Sequence, residues 1–194
     1  MGRMIVEAAT SIDGYWVDAE GVSVFPIDAQ RRARMVARLS QSCGAVVMSA
    51  KAFAAAGEPD WYADNYELQV PIFVVTERVP VPAPRENARL RFHFLPDFTS
   101  ALAAAEREAG DKAVLVIGGA RTVTAALSTG RTDEIWLHVM ARTLGRGAPL
   151  FDQDMPFADY FVSEMENTPS AVHMRLERRC LLYTSPSPRD KRQS

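Results

Sequence analysis

Cysteine is scarce in this chain. Only Cys43 and Cys180 occur among 194 residues, far apart and outside any Cys-x-x-Cys pair. A disulfide framework is therefore not expected, and two reduced cytosolic thiols are the simpler reading. Histidine is limited to His93, His138 and His173, each inside an expected strand with no ligand partner at metal spacing, so no metal site is expected. No apolar run approaches the length of a membrane span, and the first residues lack the apolar region of a signal peptide. A cytoplasmic protein without a membrane partner follows as the expectation. The net charge of −2 and pI near 5.9 provide no basic field to gather nucleic acid. No Gly-x-Ser-x-Gly elbow is present, nor a Gly-x-x-x-x-Gly-Lys-Ser/Thr loop, which argues against an esterase-type nucleophile and a nucleoside triphosphatase.

What is present suits one packed domain. The chain is 47% hydrophobic and 24% charged, and residues 1–183 read as a single unit. Residues 184–194, TSPSPRDKRQS, hold no apolar residue except proline. They cannot offset the entropy of ordering, so a disordered tail is expected there, one that resembles a non-native extension.

Strands are expected at Met4–Ala9, Ala45–Met48, Ile72–Thr76, Leu90–Leu95, Ala113–Ile117, Ile135–Met140, Tyr160–Met165 and Val172–Leu182. Helices are expected from an Asp28 cap through Arg38, from Asp97 through Glu108 with Ala101, Leu102 and Ala105 inward, and over Arg121–Leu127. In the first helix, Met35, Val36 and Leu39 form the packing side, while Arg31, Arg34 and Arg38 face solvent. Glu134 reads as a cap at the start of its strand. Strands alternating with helices imply right-handed crossovers and a parallel sheet covered on both faces. The helix-free end implies an antiparallel hairpin added at an edge. The fold class is α/β, with a mostly parallel central sheet and an antiparallel C-terminal hairpin.

Ligands bind such sheets at the carboxyl ends of the strands. Four polar clusters fall there: Ser11-Ile12-Asp13-Gly14, Ser49-Ala50-Lys51, Thr76-Glu77-Arg78, and Gly118-Gly119-Ala120-Arg121-Thr122. In the last, a β-branched strand stops at two glycines and a helix opens. Free N–H groups and the positive dipole end favour a phosphate there, and no Cβ stands in its way. Arg121, in the first turn of that helix, opposes the dipole and hints at a bound anion; a solvated arginine explains it equally well. Asp13 is the carboxylate nearest the proposed centre, able to supply or relay a proton or simply to bond its own turn. Trp61, Tyr62 and Tyr66 follow in a long loop, where they stack on a flat heterocycle or cover the core.

The order Ser-Ile-Asp-Gly, Val-Val-Met-Ser-Ala-Lys-Ala-Phe, Pro-Ile-Phe-Val-Val-Thr-Glu-Arg, Val-Leu-Val-Ile-Gly-Gly-Ala, and Thr-Asp-Glu-Ile-Trp-Leu-His-Val-Met-Ala-Arg-Thr-Leu-Gly-Arg-Gly-Ala-Pro-Leu-Phe resembles the dihydrofolate reductase-like superfamily. Within it, the chain is most similar to the reductase domain of the bifunctional riboflavin-biosynthesis deaminase–reductase. The resemblance implies a three-layer sandwich and an NADPH-dependent reductase of a small pyrimidine- or pterin-like heterocycle, such as an aminouracil ribose phosphate. It places Gly118, Gly119, Ala120, Arg121 and Thr122 at the cofactor pyrophosphate, Thr76 and Arg78 near the 2′-phosphate, and Ala9 against the nicotinamide. Ser49 and Lys51 also fall on the cofactor side. Ser11, Gly14 and Trp61 fall on the substrate side, with Asp13 as the catalytic candidate. It also implies a homodimer, to which Trp136, Phe157, Tyr160 and Phe161 would contribute.

One segment departs from the family pattern. Where Gly-Arg-x-Thr is usual after the second core strand, this chain has Ser49-Ala50-Lys51-Ala52. Lys51 leaves a point charge in place of the arginine fork. A non-catalytic ligand-binding protein on the same fold is the alternative that this departure raises.

Overall fold

The computed structural model describes residues 2–24, 29–151 and 158–179. Asp28, Phe157, Cys180 and the 184–194 tail lie outside them, as do the side chains of residues 29–33, Arg31 among them.

The elements run β1 (Met4–Ser11), β2 (Tyr15–Val17), α1 (Ala29–Ser42), β3 (Cys43–Ser49), α2 (Ala50–Ala54), α3 (Trp61–Asn65), β4 (Ile72–Val75), β5 (Phe92–Leu95), α4 (Phe98–Ala109), β6 (Ala113–Ile117), α5 (Ala120–Ser128), β7 (Glu134–Met140), β8 (Ala148–Pro149), β9 (Tyr160–Thr168) and β10 (Ala171–Arg178). Eight strands form one sheet in the order β5-β4-β3-β6-β1-β7-β10-β9. The first six are mutually parallel, and β10 and β9 continue the sheet antiparallel. The parallel strands therefore end on one edge.

β1 sits at the centre and is buried along its whole length. Its period of two divides the core. Met4, Val6 and Ala8 pack with Ala101, Leu102 and Ala105 of α4 and Val123 and Ala126 of α5. Ile5 faces the other layer, with Met35 and Leu39 of α1 and the Phe53, Tyr62 and Tyr66 rings. The three layers are those expected. α4 starts where Asp97 accepts the Ser100 N–H at 2.8 Å and stops at Gly110, whose φ of 61° few residues but glycine adopt.

Several local readings change. Arg34 and Arg38 do not simply face solvent; they pair with Glu166 and Glu164 of β9 and tie α1 to the sheet edge. Glu134 is not a cap. It is fully buried within β7, and its neighbour Asp133 instead accepts the Met4 N–H at 2.8 Å. Trp136 is buried against Glu134 rather than offered to a second copy. Phe161 on β9 is 41% exposed. The long loop after Gly57 contains the short helix α3, and the Ser49-Ala50-Lys51-Ala52 segment opens helix α2, with the Ser49 hydroxyl accepting the Ala52 N–H at 3.1 Å.

Candidate functional site

A cavity of about 810 Å³ opens at the carboxyl edge of the parallel strands, on the α1 side of the sheet. Its floor is made by Glu7 and Ala9 of β1, Met48 of β3, and Leu115, Ile117, Gly118 and Gly119 at the end of β6. Residues of α1 and the α2–α3 segment form its walls, and Trp16 and Lys51 stand at one side. The volume is within the range of small-molecule sites.

The aromatic wall is fixed by internal bonds. Tyr62 stacks on Phe53 with ring centroids 5.1 Å apart, and its hydroxyl donates to the Phe53 carbonyl at 2.8 Å. Burial pushes the Tyr62 phenol above its usual range, and burial followed by the Glu7 charge does the same for Tyr66, so both remain neutral. Trp61, 36% exposed, lies edge-on to Tyr62 at the rim.

Of the site residues singled out in the sequence, Ala9, Lys51, Trp61, Tyr62, Tyr66, Gly118 and Gly119 line this cavity. The Gly118-Gly119 turn leads into α5, whose N-terminus carries no side-chain cap. A Cβ at Gly118 would lie 2.8 Å from Thr122, so Thr122 is packed behind the turn and buried. Ala120 and exposed Arg121 continue the helix outside the lining. Thr76 and Arg78 close a small turn, with the Arg78 N–H donated to the Thr76 hydroxyl at 3.1 Å and the arginine exposed.

Trp16 was not anticipated. A Cβ on Gly119 would overlap its indole ring, so the indole packs directly against the glycine that the sequence offers to a phosphate. Lys51 sits 5.0 Å above that ring and donates to the Gly21 carbonyl at 2.8 Å.

Asp13 lies outside the cavity lining and is exposed. It accepts the Ser11 hydroxyl at 2.6 Å, the Gly145 N–H at 2.7 Å and the Leu144 N–H at 3.1 Å. These bonds, led by that from Ser11, hold its carboxyl down at about 2. An anion so held ties the β1 turn to the loop after β7. The same Ser11 hydroxyl accepts the Tyr15 N–H at 3.0 Å, and Gly14 turns with a φ of 88°. Asp13→Ala should therefore speed hydrogen exchange at the Leu144 and Gly145 amides. In the wild type this protection should persist in acid until the pH approaches 2, the value at which the folded carboxyl takes a proton. Unchanged exchange in the variant would contradict the tie.

The residue that the sequence reading passed over is Glu7. It is 6% exposed, yet reaches the cavity floor. A lone charge inside the run Met4-Ile5-Val6-Glu7-Ala8-Ala9 was the available signal. Among the described residues, no group of three or more His, Cys, Asp or Glu could hold a metal ion. No helix among them is long and apolar enough to cross a membrane.

This sheet order, with its uncapped Gly-Gly turn at the carboxyl edge, coincides with a family match over residues 3–169 to the RibD C-terminal domain. The chain belongs to the RibD C-terminal domain family. This is a family of riboflavin-pathway reductase domains. The same fold is found in RibD of Acinetobacter baumannii (TM-score 0.68, 18% identity, 92% of this chain and 58% of that one). It recurs in a protein named for riboflavin biosynthesis from Shewanella sp. PV-4 (TM-score 0.67, 21% identity, 92% of this chain and 99% of that one). A pyrimidine reductase-like protein of Corynebacterium diphtheriae shares it too (TM-score 0.64, 13% identity, 92% of each chain). The chain thus spans a little over half of the Acinetobacter RibD and nearly all of the shorter relatives. No match was found among curated proteins.

Proposed function

We propose that this RibD C-terminal domain is an NADPH-dependent reductase that transfers hydride to a C=N or C=O bond of a small heterocycle, of the 5-amino-6-(5-phosphoribosylamino)uracil type. One observation carries the reading: the cavity has the bare Gly118-Gly119 backbone that leads into α5 in its floor, the Lys51 ammonium at one side, and an aromatic surface in its wall. The residues fit a dinucleotide in volume and in donor chemistry, with the Trp16 indole, packed against Gly119, as the side chain that a diphosphate would displace there. Gly118, Gly119 and Lys51 would hold the diphosphate, Ala9 would flank the nicotinamide, and Trp61 would face the heterocycle. When bound, the nicotinamide supplies the hydride; the protein's share is to bind, orient and exclude water. Thr76 and Arg78 stand at the β4 end as candidates for the 2′-phosphate. A cytoplasmic homodimer completes the reading, with the exposed edge strand β9 as its contact; a monomer mass at micromolar concentration would remove that part.

Titration of the purified protein with NADPH and NADH, followed by quenching of tryptophan fluorescence, tests the proposal. Saturable binding of NADPH is expected; no binding of either at millimolar concentration would refute it. Lys51→Ala should weaken binding about tenfold or more, since a charge-assisted hydrogen bond is worth about 1.5–3 kcal/mol. Ala50→Arg with Ala52→Thr, which rebuilds the family's fork at the start of α2, should tighten it. If neither Lys51→Ala nor the Ala50→Arg, Ala52→Thr double variant moves the affinity, the cofactor lies elsewhere.

A further inference from the structure

We infer that Glu7 is the proton donor of this site, and that a buried His138–His173 pair is built to serve both of its protonation states. The inference rests on the reductase reading: addition of hydride to a ring carbon leaves the adjacent nitrogen or oxygen in need of a proton, and some group must deliver it.

Three strands place the residues in one row. His138 of β7 stands opposite Ala9 of β1 and opposite His173 of β10. Glu7, two residues before Ala9, projects from the same face of β1 and reaches the cavity floor. Small Ala9 leaves His138 room to approach it. His138 Nε2 is 3.4 Å from Glu7 Oε1, His138 Nδ1 is 2.9 Å from His173 Nδ1, and His173 Nε2 is 3.3 Å from the Thr168 hydroxyl. Both imidazoles are completely buried. Thr168 in turn lies 3.3 Å from the Ala171 carbonyl.

This chain has two self-consistent polarities with neutral imidazoles. With Glu7 ionised, His138 Nε2–H donates to the carboxylate, His173 Nδ1–H donates to His138 Nδ1, and the Thr168 hydroxyl donates to His173 Nε2. With Glu7 protonated, its hydroxyl donates to His138 Nε2, His138 Nδ1–H donates to His173 Nδ1, His173 Nε2–H donates to Thr168, and Thr168 donates to the Ala171 carbonyl. The Glu7 carboxyl and all four ring nitrogens keep a partner in both forms; the Thr168 hydroxyl turns its one proton from the Ala171 carbonyl to His173 Nε2 when Glu7 is ionised. A buried carboxyl that must change charge usually strands a partner in one of its states; this one does not. The other charged or titratable groups of the cavity lining are Tyr62 and Tyr66, both held neutral, with Lys51 and Glu67.

In the proposed step the Glu7 O–H bond breaks and an N–H or O–H bond forms on the heterocycle, next to the carbon that takes the nicotinamide's hydride. The carboxylate that remains is re-protonated from water at the open cavity mouth after product leaves. Glu7 contacts the substrate in this scheme and is catalytic; His138 and His173 position it.

Nitrogen-15 NMR of the histidine rings, in the protein without cofactor, tests the inference. In the wild type the tautomers of His138 and His173 should exchange together as pH is varied. In Glu7→Gln, whose amide donates as the protonated acid does, they should be pinned as His138 Nδ1–H and His173 Nε2–H at every pH where the rings are neutral. Tautomers that ignore Glu7, or that differ in no way between wild type and variant, would overturn the inference. NADPH titration separates this from failure of the reductase reading. Glu7→Gln should bind NADPH within about twofold of wild type, yet turn over 5-amino-6-(5-phosphoribosylamino)uracil about a hundredfold or more slowly. Glu7→Asp should recover part of that rate. Unimpaired turnover in Glu7→Gln would also refute the role.

Discussion

Glu134→Ala is expected to lower the stability of the fold by about 3 kcal/mol, the low end for breaking a buried ion pair, because the half-buried Arg175 guanidinium is left with Glu177 alone, at 3.3 Å. Glu134 is 1% exposed. Its Oε1 accepts Arg175 Nη2 at 2.8 Å; its Oε2 accepts Arg175 Nε at 2.8 Å and the Trp136 indole N–H at 2.9 Å. Arg3 pairs with the same carboxylate. The group joins β7 to β10 and to the residue preceding β1, so its loss reaches three strands. Burial works to raise its carboxyl, but the Arg175 and Trp136 bonds and the charges of Arg175 and Arg3 outweigh it, and the net direction is downward from 4.5. The sign follows from linkage. A carboxyl lowered in the folded state contributes its stability above its unfolded value, near 4.5, and that contribution is lost as pH falls through the lower folded value. Urea unfolding at neutral pH should therefore show the full gap between wild type and variant, and the gap should narrow in acid. A gap that is small at neutral pH, or that does not narrow, would count against the network. Glu134→Gln, which keeps one acceptor, should fall between the two.

The sheet was legible because its signals are redundant. Ala113–Ile117 is a β-branched run between Gly110 and Gly118-Gly119, and nothing else suits such a run at that length. The helix α4 announced itself through the Asp97 cap, the small inward residues and Gly110. What escaped is short or depends on tertiary partners. β2 is three residues long and exists by pairing with β8 and by a bridge from Val17 to Ser23. α2 and α3 are five residues each, too short to show a period. The surroundings of the carboxylates were not legible, for one reason. Sequence position shows that Asp13 lies at a strand end, but not that three donors already claim it. Nor does it show that Glu7, inside an apolar strand, has a histidine beside it and a cavity above it. The strand ends carrying all four polar clusters do meet on one edge of the sheet, as their positions after parallel strands implied.

Trp16 and Gly119 allow the dinucleotide reading to be tested from two sides at once. The indole packs against Gly119, the residue before α5, with Lys51 over its ring, and its buried N–H has no hydrogen-bond partner among the described residues. Trp16→Ala should uncover the Gly119 amide and tighten NADPH about tenfold, the worth of one charge-assisted hydrogen bond no longer opposed by the ring. Gly119→Ala should act in the other direction. Its methyl overlaps the indole and also stands between ligand and backbone, so binding should weaken about tenfold or more. The displaced Trp16 should shift the protein's fluorescence to longer wavelength, at a cost of about 1–3 kcal/mol in stability from overpacking. The double variant separates the two effects of the methyl. If the methyl acts only by moving Trp16, Trp16→Ala with Gly119→Ala should bind as Trp16→Ala does. If it blocks the amide, the double variant should stay weak, which is the result expected from a helix start that receives the ligand through its bare backbone. Affinity indifferent to all three changes would place the diphosphate away from Gly119.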